Sequence, residues 1–161
     1  MMSGFVARPP SETAPPPETD IVAGDVFWPG VSIASFRDAM KIGRSSIAEE
    51  RVRDALRGAM VHVRRELRVW KLAHVLAGAP SLAAIPAETI DGESASVLLY
   101  RRAVFCMAAA DLAETHHDVS ATVDGRSRID EEATAADELR RNATHAIRDI
   151  LGVTRTAVEL I

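Results

Sequence analysis

Apolar residues recur every three or four positions along much of this chain, which is the spacing of one face of an α-helix. Ser46 followed three residues later by Glu49 is typical of a capping box that starts a helix, and Gly78 and Pro80 are typical of a helix end. The pattern therefore predicts one long helix over residues 47–76. Its apolar face consists of Val52, Leu56, Ala59, Met60, Val63, Leu67 and Trp70.

Three further segments have the same periodicity. A short helix is predicted after Ser32, whose hydroxyl is a good N-cap. The segment 93–117 is apolar on nearly every side, as expected of a helix surrounded by others, and residues 90–94 are predicted to cap it. A fourth helix is predicted between Ser127 and Gly152. The sequence thus predicts an all-α fold, a small helical bundle of about four helices.

Both ends of the chain lack this periodicity. Residues 1–25 contain five prolines among Ser, Thr and Glu residues, a composition that favours a flexible, extended N-terminal arm. Residues 153–161 are rich in β-branched side chains and too short for a helix of their own. We therefore predict a helical domain over residues 26–152 between this arm and an extended C-terminal tail. The tail either folds back on its own helices or adds to a partner as a strand.

Phe27 and Trp28 form an isolated apolar cluster between the arm and the first helix. Aromatic side chains of this size bury a large area wherever they pack. Two alternatives remain open: the pair anchors the end of the arm to its own domain, or it docks on a neighbouring subunit.

The charge of the chain is unevenly distributed. The chain has a net charge of −4, whereas proteins that coat nucleic acid usually have a strong excess of basic residues. The net charge therefore argues against a protein of that class. Residues 32–78, however, hold ten Lys and Arg against five Asp and Glu. Arg57, Arg64 and Arg68 lie opposite the long apolar stripe, on a face that is either simply solvated or turned towards DNA or an acidic partner. Without interleaved aromatic residues, any contact with DNA would be non-specific.

The sequence shows no arrangement of residues that is typical of a catalytic site. Cys106 is the single cysteine, so an intramolecular disulfide is excluded, and its apolar neighbours predict a small core residue. The potential metal ligands Glu114, His116, His117 and Asp118 lack the spacing of helical zinc sites. We therefore predict that the protein is not an enzyme and that it has no catalytic residues, no metal and no cofactor.

Arg101 and Arg102, together with Asp111, interrupt the longest apolar run, residues 97–113. The run is therefore too short and too polar to span a membrane. Because the N-terminus also lacks the pattern of a secretory signal, we expect a soluble protein without a membrane partner. A buried, unpaired guanidinium is costly, so the two arginines are predicted to form ion pairs, either with a neighbouring subunit or within the chain, for example with an acid of the fourth helix. A contact with DNA is the less favoured alternative.

The third helix and the segment before it resemble a known family. Ile90-Asp91-Gly92-Glu93-Ser94, followed by Tyr100, Arg102-Ala103-Val104 and Cys106-Met107-Ala108, is similar to the phage head completion proteins of the GPL family from contractile-tailed temperate phages. Phe27-Trp28-Pro29 and the helix from Arg51 to Met60 resemble further parts of that family, in the same order. The similarity covers roughly residues 26–161, and the segment around Asp124-Gly125 departs from the lysine-rich loop of the family.

The resemblance implies a structural protein that binds the portal protein at the vertex of the DNA-filled head, helps to retain the packaged DNA and presents a surface to a tail or neck terminator protein. Family members look like helical adaptors arranged as rings, which implies neighbouring copies as partners. The candidate residues for such a subunit contact are Phe27, Trp28, Arg101 and Arg102. Assembly is expected in the host cytoplasm, and the final location in the neck of the virion. The portal-binding residues are expected in the tail: Val153, Val158, Leu160 and Ile161. The alternative function is a small helical regulatory protein that binds one partner.

Overall fold

The computed structural model describes residues 20–42, 47–115 and 123–153, and over residues 123–133 the backbone alone. Within these ranges the chain forms five α-helices, a short 3-10 helix (Leu82–Ala84) and two short antiparallel hairpins. The helices are α1 (Ile33–Ala39), α2 (Glu49–Glu66), α3 (Arg68–Leu76), α4 (Ala95–Thr115) and α5 (Val123–Ile150). The strands are β1 (Ile21–Val22), β2 (Val31–Ser32), β3 (Thr89–Ile90) and β4 (Glu93–Ser94). The predicted all-α class is confirmed.

Helix α4 is the centre of the domain, and it packs against both α2 and α5. Its buried residues lie on several sides of the helix, as the sequence predicted for a helix surrounded by others. Small side chains let the neighbouring helices approach closely, since an alanine adds little bulk at a helix contact. The buried alanines of these two helices are Ala103, Ala108, Ala109 and Ala110 on α4 and Ala136, Ala143 and Ala146 on α5.

The chain enters the domain through the hairpin of β1 and β2. Ile21 lies opposite Ser32 and Val22 opposite Val31, and Val22 is buried in the core. Residues 20–25, which the sequence analysis assigned to the arm, are thus part of the packed domain. Ser32 then caps α1, because its hydroxyl oxygen accepts a hydrogen bond of 3.1 Å from the backbone N–H of Ser35. The predicted N-cap is confirmed.

The prediction of one long helix over residues 47–76 is wrong. The chain leaves helical geometry at Leu67 and forms two helices. Leu67 has φ −88° and ψ 6° and its side chain is completely buried. The predicted capping box is also wrong, since α2 begins at Glu49 and its N-cap is Ala48, whose side chain makes no capping hydrogen bond. Ser46 lies outside the described residues.

Residues 90–94 were predicted to cap a helix. They form part of a β-hairpin instead, in which a two-residue turn joins β3 to β4. Asp91 and Gly92 at its tip have φ of 52° and 77°, the left-handed values that the favoured hairpin turns require. Helix α5 begins at Val123, earlier than the start predicted after Ser127. Its predicted end is confirmed, because Gly152 has φ 69° and the N–H of Val153 turns back to the carbonyl of Arg148 at 3.0 Å.

Candidate assembly surfaces

Phe27 and Trp28 pack inside their own chain. Phe27 is 5% exposed and Trp28 is 2% exposed. The indole of Trp28 stacks on the ring of Tyr100 with 4.8 Å between centroids, and the ring of Phe27 meets the indole edge-on. The pair therefore anchors the N-terminal hairpin to α4, and almost no surface is left for the subunit contact that was expected of it.

Arg64, predicted to face DNA, is turned inwards. Its Nε donates a hydrogen bond of 3.0 Å to the hydroxyl oxygen of Tyr100, and its Nη1 lies 3.6 Å from a carboxylate oxygen of Asp25. Its Nη2 is buried and lacks a hydrogen-bond partner among the described residues. Arg64 is consequently a link between α2, α4 and the N-terminal hairpin, and we remove it from the candidate DNA surface.

Asp25 organises the polar edge of this aromatic cluster. One of its carboxylate oxygens accepts hydrogen bonds from the backbone N–H groups of Phe27, at 2.8 Å, and Trp28, at 2.7 Å. Partial burial by itself would raise the pKa of Asp25, but these two N–H groups and the charges of Lys71 and Arg64 outweigh it, so the pKa lies below its ordinary value. Lys71 also lies over the ring of Phe27, 5.0 Å from its centroid.

The Tyr100 hydroxyl is neutral in this setting. Burial raises the pKa of Tyr100 above its ordinary value, and the hydrogen bond from Arg64 offsets only part of that rise. The hydroxyl is therefore a fixed hydrogen-bond acceptor for the guanidinium, and the cluster is a structural one.

Two of the three predicted DNA-facing arginines do lie at the surface. The side chain of Arg57 is 60% exposed, and its Nη1 lies 3.6 Å from Asp54 one turn earlier in α2. Arg68, the first residue of α3, is exposed as well. Arg57 also borders an open groove of about 380 Å³ beside β1, which Arg53 and Arg64 line together with Met60 and Val61. This part of α2 is basic and accessible from one side.

Arg101 and Arg102 occupy different environments. Arg101 forms an ion pair with Glu93 of β4. The ion pair is therefore intramolecular, as one of the predicted alternatives had it. Its acidic partner, however, belongs to the hairpin and not to the fourth helix. Arg102 is exposed and borders a small groove between α4 and α5 that also contains His145 and Asp149.

Of the four residues proposed to bind the portal, the described chain contains Val153 alone. This residue directly follows the end of α5, and it is 46% exposed. Val158, Leu160 and Ile161 lie outside the described residues.

Helix α3 has a surface that the sequence analysis missed. None of its nine residues is buried. Val69, Leu72 and Leu76 are 74%, 58% and 79% exposed, and none of them belongs to the core-facing stripe that was predicted through Leu67 and Trp70. The spacing of these three residues is the signal that marks the face, but an apolar stripe has the same appearance in sequence whether a core or a partner covers it.

Two side chains that were considered as reactive or metal-binding groups, Cys106 and Glu114, are part of the packed domain. Cys106 is 5% exposed, and burial raises the pKa of its thiol, which Arg102 lowers only in part. Glu114 pairs with Arg140 of α5, whereas His116, His117 and Asp118 lie outside the described residues. In the described ranges, acidic, histidine and cysteine side chains form no group suited to a metal ion. None of the described helices combines the length and the apolar character needed to cross a membrane.

Comparison with known proteins assigns the chain to a class of structural phage proteins. Residues 22–161 match the family model described as phage head completion protein (GPL). The chain is also similar to the head completion/stabilization protein of Escherichia phage P2, with 32% identity over 147 residues that cover 91% of this chain and 86% of that protein. No solved structure matches significantly. The chain belongs to the GPL family of phage head completion proteins, as the resemblance in the sequence implied.

Proposed function

We propose that this protein acts at the portal vertex of the DNA-filled phage head, where it stabilises the packaged genome and prepares the head for tail attachment. Membership of the head completion family supports a role in head completion and a place in the virion. The observation that carries the proposal is the extent of the match to the head completion/stabilization protein, which includes nearly the whole of both chains. The protein acts by association rather than by catalysis.

The C-terminal tail is the proposed portal contact. Helix α5 is held against α4 by buried residues as far as Ile150, and the chain then turns at Gly152. The tail therefore leaves the domain from a fixed point. Its apolar residues Val158, Leu160 and Ile161 supply anchors for a partner surface, and several copies on one portal would bind at high effective concentration even if each contact is weak.

Deletion of residues 154–161 tests this contact. Val153 is retained because its N–H closes the end of α5 by donating to the carbonyl of Arg148. We expect the truncated protein to keep its helical circular dichroism and to lose attachment to purified portal-bearing heads. Attachment at the wild-type level would contradict the proposal.

Matched substitutions separate the apolar anchors from the mere presence of a tail. Changing Val158, Leu160 and Ile161 to Ser should abolish attachment to heads. The control changes the polar residues of the same tail, Thr154→Ser, Thr156→Ser and Glu159→Gln, and should attach as the wild type does. Equal attachment by both variants would show that the apolar side chains are not the anchors.

The proposed DNA contact rests on the exposed basic residues of α2 and α3. Arg57 and Arg68 remain candidates, and phosphate contacts of this kind are independent of sequence and weaken with salt. Arg57, which lies outside α3, is reversed as Arg57→Glu in heads that carry the protein. We expect more DNA leakage from such heads than from heads with the control Arg141→Glu, which changes an exposed arginine of α5. Unchanged leakage would remove DNA from the proposed partners.

A further inference from the structure

Helix α3 presents three large apolar side chains to solvent on one side. Val69, Leu72 and Leu76 are separated by three and four positions, which aligns them along a helix. Each is more than half exposed. Scattered apolar residues are common on protein surfaces, but an aligned group of this size on a helix without a buried residue marks an interaction surface.

Exposed basic residues lie at the start of this apolar stripe. Arg65 at the end of α2 and Arg68 at the start of α3 are exposed, and Lys71 is half-buried. Residues 65–71 contain three basic residues, Arg65, Arg68 and Lys71, and one acidic residue, Glu66. A partner that fits the α3 surface, which we define as Arg65, Arg68, Val69, Leu72 and Leu76, must therefore offer apolar contacts together with negative charge.

The same chain has a surface of that kind between the start of α2 and the end of α4. An open groove of about 490 Å³ is lined by the carboxylates of Glu50, Asp54 and Asp111, with Arg51 as its one basic residue. An apolar groove of about 250 Å³ adjoins it at Leu112, which lines both. The remaining lining residues of the apolar groove are Met40, Ile42, Ile47, Ala109, Ala113 and Leu139. We call the two together the acidic groove.

The two surfaces lie at opposite ends of α2. The acidic groove uses Glu50 and Asp54 in its first turns, whereas α3 begins beyond its last residue, Glu66. At about 1.5 Å per residue, α2 separates them by roughly 20 Å. One copy therefore has both surfaces free at the same time, and a contact between them joins two copies head-to-tail. Repetition of such a contact closes a ring when the rotation between copies allows it.

We infer that the α3 surface of one copy docks in the acidic groove of a second copy. The inference deepens the proposed function and rests on it, since it names the surfaces by which neighbouring copies meet around the head vertex. Apolar side chains of α3 fill the apolar part of the groove, and Arg65 and Arg68 face Glu50 and Asp111.

A charge exchange between the two surfaces tests this docking. One variant carries Arg65→Glu and Arg68→Glu, and the other carries Glu50→Lys and Asp111→Lys; Arg57 is unchanged in both. Sedimentation velocity at low ionic strength and rising concentration should show that the wild type associates. Each variant alone should associate about tenfold more weakly or worse, because like charges meet. A mixture of the two should recover association, since each has one surface that complements the other.

The control variant Arg141→Glu, at an exposed position of α5 outside both surfaces, should associate as the wild type does. Thermal unfolding verifies that all variants remain folded. A wild type that stays monomeric, variants that associate as tightly as the wild type, or a mixture without recovery would each overturn the inference.

Binding of the wild type to purified heads, measured in parallel, separates this inference from the proposed function. Self-association with recovery in the mixture, but no binding to heads, would contradict the proposed function alone. Binding to heads by a wild type that shows no self-association would contradict the docking alone.

Discussion

The guanidinium of Arg64 and the hydroxyl of Tyr100 are joined by a hydrogen bond of 3.0 Å between α2 and α4. Tyr100 is completely buried and stacks on Trp28, which belongs to the N-terminal hairpin. Asp25 of the same hairpin lies 3.6 Å from Arg64. One arginine thus connects three parts of the domain, and its loss affects the fold before it affects any surface.

Replacement of Arg64 by Ala should lower the free energy of unfolding by about 1–3 kcal/mol, because the buried hydroxyl of Tyr100 loses its partner. Arg57→Ala, at an exposed position of the same helix, is the matched control and should change it by less than about 0.5 kcal/mol. Urea unfolding followed by circular dichroism measures both. Equal effects would mean that Arg64 does not hold the domain together.

Replacement of two glycines by alanine should change the free energy of unfolding in opposite directions. Gly92 has φ 77° and Gly58 lies within α2, and an added Cβ would meet no atom within 4 Å at either position, so the backbone conformation decides the outcome. Gly92→Ala should destabilise the protein by about 1–2 kcal/mol because of its left-handed backbone. Gly58→Ala should stabilise it by about 0.5–1 kcal/mol as a better helix former. Thermal or urea unfolding gives both values, and effects of the same sign would contradict the hairpin geometry.

Asp25 should make stability depend on pH under acidic conditions. Its pKa in the folded protein lies below the ordinary value of 3.8, so the carboxylate contributes stability that is fully present above that value. The contribution is lost as the pH falls through the lower, folded pKa. Asp25→Asn should therefore be less stable than the wild type near neutral pH, and the difference should shrink in strongly acidic solution.

Unfolding midpoints over a series of pH values test the role of Asp25. Asp54→Asn serves as the control, since the side chain of Asp54 is 81% exposed, and its curve should follow that of the wild type. A constant difference between Asp25→Asn and the wild type at every pH would argue against a charged carboxylate at this site.

Much of the fold could be predicted from local signals. The periodicity marked the segments that form helices, Ser32 marked the start of α1 and Gly152 the end of α5. The break at Leu67 could not be predicted, because no glycine or proline accompanies it and the apolar spacing continues across it. Asp91-Gly92 is a dipeptide that favours a hairpin turn. The same residues directly precede a predicted helix, however, and could therefore also be interpreted as its cap.

The candidate surfaces were harder to predict. Sequence periodicity shows which residues share one face of a helix, but it does not show what that face contacts. Arg64 was assigned to the basic face, yet its long side chain reaches Tyr100 on the neighbouring helix. Leu72 and Leu76 are apolar but exposed, and their spacing alone does not show whether a core or a partner covers them. Such assignments depend on which elements meet in three dimensions, and a single sequence does not contain that information.

The proposed function requires that this protein occupies the portal vertex of the mature head. Cryo-electron microscopy of purified DNA-filled heads, with the protein and without it, measures this directly at the vertex. We expect additional density on the portal only in heads that contain the protein, with helical segments that fit the packed body of α2, α4 and α5. Identical vertices in the two samples, with the protein absent from the portal, would contradict the proposed function.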